Sequence, residues 1–245
     1  MTMNTLIEKF QPISLEEMSG IKLMNRTDTK FVTSIAKLKE LLLMAGDEYR
    51  VQEIDGKRNM SYATVYFDSR DYAFYNAHHD GHASRQKVRV RSYVDTHLSF
   101  LEVKTKDNHG KTHKSRISAS SLEEEAAMDF LRRNLRLDPG LLEQKIANSF
   151  HRITLVNKKK TERLTIDTDL KFENLTTGVQ RALPQLAIIE LKRDGLQPSP
   201  VLDMLRELRI HQSGFSKYCI GEALTNPSLR INRLKLRIHR LMKIS

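Results

Sequence analysis

Basic side chains alternate along one short stretch of the chain, Ser84 to Ser92, which reads SRQKVRVRS. Successive side chains of a β-strand point to opposite faces, so Lys87, Arg89 and Arg91 would form one row with no acid between them. Arg makes planar bidentate contacts with phosphate oxygens, and Lys adds a point charge. The row therefore predicts a face that meets either water or a bound polyanion.

Other strand-like segments repeat this alternation of charged residues. The residues expected to share a face are Arg26 with Asp28 and Lys30, Glu102 with Lys104 and Lys106, Lys114 with Arg116, Arg152 alone, Arg163 with Thr165, Asp167 and Asp169, and Glu190 with Lys192. One charged row is typical of the solvated face of an antiparallel sheet. Recurrence of Lys and Arg in several strands, with few acids beside them, favours a surface that binds an anion.

Closing such a sheet into a barrel predicts a water-filled tunnel rather than a dry core. Unpaired buried charge costs several kcal/mol or more per ion, so cations that face inward need water or a bound polyanion. Glu102 and Glu190, with Asp167 or Asp169, offer the oxygen ligands of a divalent cation that bridges phosphates. We therefore expect an α+β fold in which an antiparallel β-barrel forms the tunnel and helices flank it.

Hydrophobic periodicity indicates the strands that position these residues. The alternating run from Asn25 to Val32 predicts a strand, and Ser34 is expected to cap a helix that continues through Leu43. Further strands are expected at residues 49–54, 62–68, 86–94, 98–106, 111–119, 150–157, 163–172 and 185–192. Turn-forming residues at 55–59 predict a hairpin between the first two of these.

Helical periodicity is confined to fewer segments. Helices are expected near residues 71–79 and 201–210, and one more follows a turn centred on Gly214. Residues 121–147 predict two helices, the second of which follows Asp138 and Pro139. These helices are expected to flank the sheet.

Composition limits the class of protein. A chain of 245 residues with 29% charged and 39% hydrophobic residues is expected to be neither disordered nor membrane-spanning. Lys and Arg number 41 against 30 Asp and Glu, and the resulting net charge of +11 indicates an anionic partner. Cys219 is the single cysteine, which excludes an internal disulfide and a cysteine-based zinc cluster. Polar residues near the N-terminus predict a cytoplasmic protein.

The last residues differ in character from the rest. We expect residues 1–227 to form a single domain and residues 228–245 to form a basic amphipathic tail. Apolar residues lie at helical spacing in this tail, at Ile231, Leu234, Ile238, Leu241 and Met242. The helix is expected either to pack over one end of the barrel or to contact anionic lipid or a partner protein, which would place the protein at the membrane surface.

Several short motifs together resemble a known family. They occur in order from about residue 20 to about residue 225 and read RTDTKF, TVYFDS, KVRVRSY, LEVKTK, LTIDTDLKF, AIIELKRDG and SGFSKY. This set is similar to the VTC domain, also called the polyphosphate polymerase domain, of the triphosphate tunnel metalloenzyme superfamily. The resemblance implies a triphosphate tunnel fold that binds ATP or polyphosphate with Mn²⁺ or Mg²⁺.

The resemblance and the charged rows together assign roles to individual residues. The expected catalytic residues are Lys30, Arg89, Arg91, Lys104, Glu190 and Lys192. The expected phosphate-binding residues are Arg26, Lys87, Lys106, Lys114, Arg116, Arg152, Arg163, Ser216, Lys217 and Tyr218. Glu190 is the expected metal ligand, with Glu102 as the second.

The implied activity is transfer of the terminal phosphate of ATP to a growing polyphosphate chain. Two alternatives within the fold are hydrolysis of tripolyphosphate or nucleoside triphosphate, and binding of polyphosphate without catalysis. Nucleic-acid binding fits the net charge less well, because the chain has no Trp and its strands lack pairs of exposed aromatic residues that would stack bases. We therefore expect ATP and inorganic polyphosphate as partners.

Overall fold

A computed structural model describes residues 1–19, 26–195 and 197–244, without the side chains of Ser19 and Arg26. The strands in these ranges are β1 (Gln11–Ile13), β2 (Arg26–Ser34), β3 (Tyr49–Gln52), β4 (Asn59–Ser69), β5 (Arg85–Tyr93), β6 (Leu98–Lys106), β7 (Thr112–Ser118), β8 (Leu142–Asn157), β9 (Glu162–Asn174), β10 (Gln180–Leu183) and β11 (Leu186–Asp194). The helices are α1 (Met3–Ile7), α2 (Leu15–Ser19), α3 (Ile35–Ala45), α4 (Ala73–His79), α5 (Glu125–Asn134), α6 (Pro200–Glu207), α7 (Lys217–Thr225) and α8 (Lys235–Met242).

One curled antiparallel sheet organises the fold. Its strands follow the order β2-β11-β9-β8-β4-β5-β6-β7, while β1, β3 and β10 pair at its margins. Within the described part of the chain no pairing joins β2 to β7, so the sheet is a half-barrel that is open along that side. The α+β half-barrel with flanking helices confirms the predicted fold class.

Helices cover the outer face of the half-barrel. Ser34 caps α3 by accepting a hydrogen bond from the backbone N–H of Lys37 at 3.3 Å, as the sequence predicts. Leu38, Leu41 and Leu42 of this helix are buried in a cluster with α6 and the outward side chains of β8, β9 and β11. Burial of one such Leu stabilises the fold by about 1.5–3 kcal/mol. A second hydrophobic cluster packs α5 against β5 and β6.

Helix α7 packs against the opposite face of the sheet, where its Tyr218 and Cys219 join a cluster with Tyr66 and Phe172. Gly221 permits this close approach, because a Cβ atom there would lie 2.7 Å from the Phe172 ring. A larger residue would therefore push α7 away from the sheet.

Two local predictions are wrong. Residues 142–149 continue β8 instead of forming a helix, because they pair with β4 along one edge and, from Ile146 onward, with β9 along the other. Pairing on both edges overrides the local helical spacing. The hairpin at 55–59 is also absent, since β3 pairs with β1 and β8 rather than with β4. Asp55 and Gly56 do form a tight turn at positive φ, but it closes only the bridge between Ile54 and Lys57.

The C-terminal segment packs onto the fold. Leu234 and Leu241 are buried in the same cluster as α7, whereas the cations of α8 are exposed or half-buried. None of the described helices has the length and apolar character needed to cross a membrane. The division at residue 227, the cytoplasmic location and a lipid or protein contact of the tail stay predictions.

Candidate anion-binding site

The register of the sheet gathers the predicted cations on one surface. Directly opposed residues of paired antiparallel strands lie on the same face. The opposed pairs include Lys30 with Glu190, Arg152 with Asp167, Arg89 with Glu102 and Lys104 with Lys114. We call this surface the inner face; the predicted cations on it are Lys30, Lys87, Arg89, Arg91, Lys104, Lys106, Lys114, Arg116, Arg152, Arg163 and Lys192. Every strand of the main order except β4 contributes to this set.

Curling of the sheet brings distant strands of the inner face together. Lys104 lies on β6 and Lys30 on β2, near opposite ends of the strand order. Partial desolvation by the surrounding wall, followed by the charge of Lys30, lowers the pKa of Lys104 to about 8, although its side chain stays accessible to solvent. The charge of Lys30 thus reaches Lys104 although their strands lie far apart in the strand order.

Glu190 neutralises two lysines of the inner face. Its Oε1 lies 2.7 Å from Nζ of Lys192 and 3.4 Å from Nζ of Lys30. Burial alone would raise the pKa of Glu190, but Lys192 and Lys30 outweigh it and hold the pKa well below its usual range. The carboxylate is thus ionised at neutral pH.

Glu102 holds a second pair of cations. Arg89 donates to its Oε2 with an Nη2 distance of 2.6 Å, and Lys114 contacts its Oε1. Burial opposes ionisation here as well, yet Arg89 and Lys114 lower the pKa of Glu102 to about 2. The side chain is only 2% exposed, so both of its oxygens are occupied in a sealed position.

Asp167 completes the series. Its two oxygens accept hydrogen bonds from Nε and Nη2 of Arg152 at 2.6 and 2.8 Å, and Oδ2 also contacts Nζ of Lys217 on α7. Burial is again outweighed, and the two cations hold the pKa of Asp167 far below its usual range. Each of the three acids therefore bridges two cations.

Three further cations of the inner face have no acidic partner among the described residues. Arg91 is 7% exposed and its nearest polar contact is Oγ1 of Thr64 at 3.5 Å. Burial and the neighbouring Arg89 lower its pKa to about 10. Lys87 donates to Oγ of Ser216 at 2.8 Å, and Lys104 makes no ion pair. These groups leave a net positive charge that a bound anion would neutralise.

The closing motif Ser216, Lys217 and Tyr218 lies at the start of α7 and reaches the inner face. Ser216 caps the helix by accepting from the N–H of Cys219 at 3.2 Å while it also accepts from Lys87. Lys217 lies over the ring of Phe150 at 3.9 Å from its centroid. These three residues thus lie beside the inner face, which is the arrangement expected from the sequence. Their roles in phosphate binding stay predictions.

Asp68 is a residue of this site that the sequence analysis missed. It accepts hydrogen bonds from the backbone N–H groups of Phe74 and Tyr75 at 2.8 Å and from the hydroxyl of Tyr218 at 2.5 Å. It therefore ties the start of α4 to α7. The TVYFDS motif contains Asp68, but its partner lies 150 positions away and no local pattern reveals it.

An aromatic pair was also missed. The rings of Tyr62 and Phe150 stack at 5.2 Å between centroids, and the guanidinium groups of Arg91 and Arg152 lie within 5.8 Å of both rings. Cation–π contacts of this kind stabilise closely spaced guanidinium groups. The alternation of Tyr62, Thr64 and Tyr66 along β4 could have indicated that Tyr62 lies on the inner face.

Some predicted positions are peripheral or differ from expectation. Lys114 and Arg116 lie on the edge strand β7 and are exposed, and the Arg26 side chain lies outside the described part. Asp169 is not on the inner face, because a bulge at positive φ turns it outward, where Oδ2 lies 3.1 Å from Nδ1 of His151. The prediction that Asp169 shares the face of Asp167 is therefore wrong.

Of the three bridging acids, one offers a suitable carboxylate to a metal ion. Among the described residues there is no group of three or more His, Cys, Asp or Glu side chains that could hold a metal ion. A Mg²⁺ ion in a phosphate site needs one or two protein carboxylates and takes its other ligands from phosphate and water. Glu190 fits this requirement, since its side chain is 19% exposed. Glu102 does not fit, because Arg89 and Lys114 already occupy its oxygens.

Comparison with known proteins agrees with this geometry. The model of the VTC domain family matches residues 25–226, which contain the whole inner face. The chain belongs to the VTC domain family. None of the curated proteins matches this VTC domain chain.

A solved structure shows the same fold at low identity. A protein from Hippeastrum, whose description reports a dominant triphosphatase activity, has 15% identity and a TM-score of 0.50 over 84% of this chain and 98% of its own. Two other structures have lower TM-scores. A protein from Vibrio parahaemolyticus has 11% identity and a TM-score of 0.46 over 80% and 97% of the two chains. PH1819 from Pyrococcus horikoshii has 12% identity and a TM-score of 0.45 over 81% and 98%.

Proposed function

We propose that this VTC domain protein is a polyphosphate polymerase that transfers the terminal phosphate of ATP to an inorganic polyphosphate chain. The observation that carries the proposal is the inner face, on which seven strands of one curled sheet contribute cations to a common space. Only an extended polyanion can contact cations on both sides of that space. ATP and polyphosphate share this chemistry.

The cations divide the binding work according to their partners. Arg91, Lys87 and Lys104 have no acidic partner in the described structure and provide the first contacts for phosphate oxygens. Arg89, Arg152 and Lys217 are held in place by Glu102 and Asp167, so they are positioned before phosphate arrives. Preorganised cations of this kind stabilise the charge on a transferred phosphate without further rearrangement.

The transfer step needs no general base. A terminal oxygen of the polyphosphate chain, which is already anionic, attacks the γ-phosphorus of ATP. A new P–O bond forms while the bond between that phosphorus and the β–γ bridging oxygen breaks, and ADP leaves with the electron pair. Such a transfer depends mainly on alignment and on electrostatic stabilisation. The chain grows by one phosphate in each cycle.

Glu190 would hold the divalent ion that the family uses. When bound there, Mn²⁺ or Mg²⁺ would supply positive charge that neutralises the phosphates. Glu190 is accessible, ionised and flanked by Lys30 and Lys192, which would turn to phosphate oxygens when the carboxylate binds a metal.

Hydrolysis is the second candidate. The half-barrel is open between β2 and β7 in the described structure, which leaves water access to the inner face. The Hippeastrum protein with the same fold is described by its triphosphatase activity. If water replaces the polyphosphate oxygen as nucleophile, the same contacts support a triphosphatase.

Incubation with ATP and Mn²⁺ tests the proposal. ADP release is followed together with polyphosphate ladders on a gel, for the wild type, for Glu190→Ala and for the control Glu173→Ala, whose side chain is exposed away from the inner face. The polymerase is supported if the wild type and Glu173→Ala produce ladders and Glu190→Ala does not. Phosphate release without ladders assigns the triphosphatase instead, and tight polyphosphate binding without either product makes the protein a receptor.

A further inference from the structure

A second strongly basic concavity lies outside the inner face. A cleft of about 1010 Å³ is bordered by the end of β2, the segment 209–214 and helix α8. Its lining includes the cations Lys37, Arg209, Arg233, Arg237, Arg240 and Lys243. No Asp or Glu occurs among the described residues that line it. We propose that this cleft binds a further segment of the polyphosphate chain whose end lies on the inner face.

Most of the cleft's cations have no partner to neutralise them. Arg209, Arg240 and Lys243 make no ion pair with any described acid and are exposed. Lys37 and Arg233 donate to the main-chain carbonyls of Leu208 and Asp80, which leaves their positive charge in place. Four of the six are Arg, whose planar group contacts two phosphate oxygens at once.

The cleft also receives the positive end of a helix. Ser34 and Lys37, at the N-terminus of the 11-residue helix α3, belong to its lining. Aligned peptide dipoles give a helix N-terminus a partial positive charge that favours anions. This contribution adds to that of the α8 cations in the same lining.

The cleft adjoins the inner face. A Cβ atom on Gly214 would lie 3.5 Å from Nη2 of Arg237, and Gly214 comes two residues before Ser216, which accepts a hydrogen bond from Lys87. The backbone N–H of Ser213 donates to the carbonyl of Lys30 at 2.8 Å. The segment 213–217 therefore connects the two sites, since Ser213 and Gly214 line the cleft and Ser216 contacts the inner face.

His78 marks the same continuity. After burial, the charges of Lys87 on the inner face and of Arg85 and Arg237 act on this side chain and lower its pKa to about 3. Lys87 of the inner face and Arg237 of the cleft thus both act on one imidazole.

The shape of the cleft favours a linear phosphate chain over a lipid surface. Its cations come from three separate segments, α3, residues 209–214 and residues 233–243, that border one concave space. An extended chain of phosphates can enter such a space, whereas a flat membrane would contact only its rim. The inference rests on the proposed function, because the same chain must occupy the inner face. It adds a prediction of its own: chain length, and not only the terminal phosphates, determines affinity.

Two matched triple variants test the proposal at equal net charge. The cleft variant carries Arg209→Ala, Arg240→Ala and Lys243→Ala, and the control carries Lys158→Ala, Lys159→Ala and Lys171→Ala, which are exposed elsewhere. The dissociation constants for tripolyphosphate and for long-chain polyphosphate are measured by calorimetry at one ionic strength. Because the cleft variant removes three cations that would contact the chain, we expect it to lose roughly tenfold or more in long-chain affinity. Its tripolyphosphate affinity and both affinities of the control should stay at the wild-type value.

The outcomes separate the two proposals. Equal long-chain affinity in the cleft and control variants, with tripolyphosphate still bound, overturns the cleft alone. A wild type that binds neither ligand overturns the proposed function and the cleft with it. Flotation with phosphatidylserine vesicles tests whether the cleft binds lipid instead. If the cleft variant loses vesicle binding but keeps its long-chain affinity, the cations bind lipid and the polyphosphate site is overturned.

Discussion

Lys217 at the start of α7 forms an ion pair with Asp167 of β9, and the same carboxylate binds Arg152 through both of its oxygens. This contact fastens the helix that closes one end of the site to the wall of the half-barrel. It also follows the rule seen at Glu102 and Glu190, where one acid separates two cations that would otherwise repel. The acids of the inner face thus hold its cations in fixed positions.

Asp167→Asn should destabilise the protein but make it more responsive to ligand. Removing one partner of a buried ion pair costs about 3–5 kcal/mol, because Arg152 and Lys217 lose their counter-ion. Tripolyphosphate can replace the lost charge, so the rise in melting temperature on ligand addition should exceed that of the wild type. The control is Asp169→Asn, whose side chain is exposed and turned away. An equal ligand-induced rise in all three proteins would contradict this role.

Tyr218→Phe should loosen α7. The hydroxyl of Tyr218 donates to Asp68 at 2.5 Å in a buried position, and its loss should cost about 1–3 kcal/mol of unfolding free energy. Because α7 carries Lys217, tripolyphosphate affinity should fall as well. Stability is measured by urea denaturation and affinity by calorimetry. The control is Tyr93→Phe, because the Tyr93 hydroxyl makes no hydrogen bond in the described structure. Retained stability in Tyr218→Phe would remove Asp68 from its positioning role.

Phosphate binding should weaken as the pH rises through about 8. Desolvation and the charge of Lys30 lower the pKa of Lys104 to about 8, so this lysine loses its charge about two units earlier than an ordinary lysine. Tripolyphosphate affinity should therefore decline between about pH 7 and about pH 9, with proton uptake on binding. Lys104→Arg keeps its charge and should flatten the decline. Parallel profiles for the wild type and Lys104→Arg would show that Lys104 does not contact the ligand.

Glu222→Gln should stabilise the protein above neutral pH. Burial raises the pKa of Glu222 from 4.5 to about 7, and its Oε1 has no hydrogen-bond partner. Since the folded state holds this proton more tightly than the unfolded state, the wild type should lose stability as the pH rises from 4.5 to about 7 and then level off. Melting temperatures from about pH 5 to about pH 8 should show this loss in the wild type and in the exposed control Glu173→Gln, but not in Glu222→Gln. A decline that persists unchanged in Glu222→Gln would assign it to another group.

The inner face could be predicted from sequence because strand alternation fixes it locally. Arg89 and Arg91 share a face because side chains of a strand alternate between its two faces, and the same alternation applies to every other strand. Once the order of the strands is known, their charged rows can be placed side by side on one face of the sheet. The family motifs supply that order, and this is why the fold class and the grouping of cations were predictable.

The contacts that assemble the site were not predictable, because they join distant parts of the chain. Asp68 and Tyr218 are separated by 150 positions, and neither has a local signal for the other. Asp169 faces outward because of a single bulge residue at positive φ, which alternation cannot detect. Residues 142–149 form a strand only because two partner strands are present.

Calorimetric titration of tripolyphosphate into the wild type and Arg91→Ala tests most directly whether the inner face binds phosphate. Arg91 is buried at the centre of this face and pairs with no acid of the described structure, so its removal leaves no carboxylate without a partner. A charge-assisted hydrogen bond contributes about 1.5–3 kcal/mol, so affinity should fall about 10-fold to 100-fold. Lys159→Ala, an exposed cation on a distant turn, should bind as the wild type does. Equal affinity in Arg91→Ala and the wild type would contradict phosphate binding on the inner face.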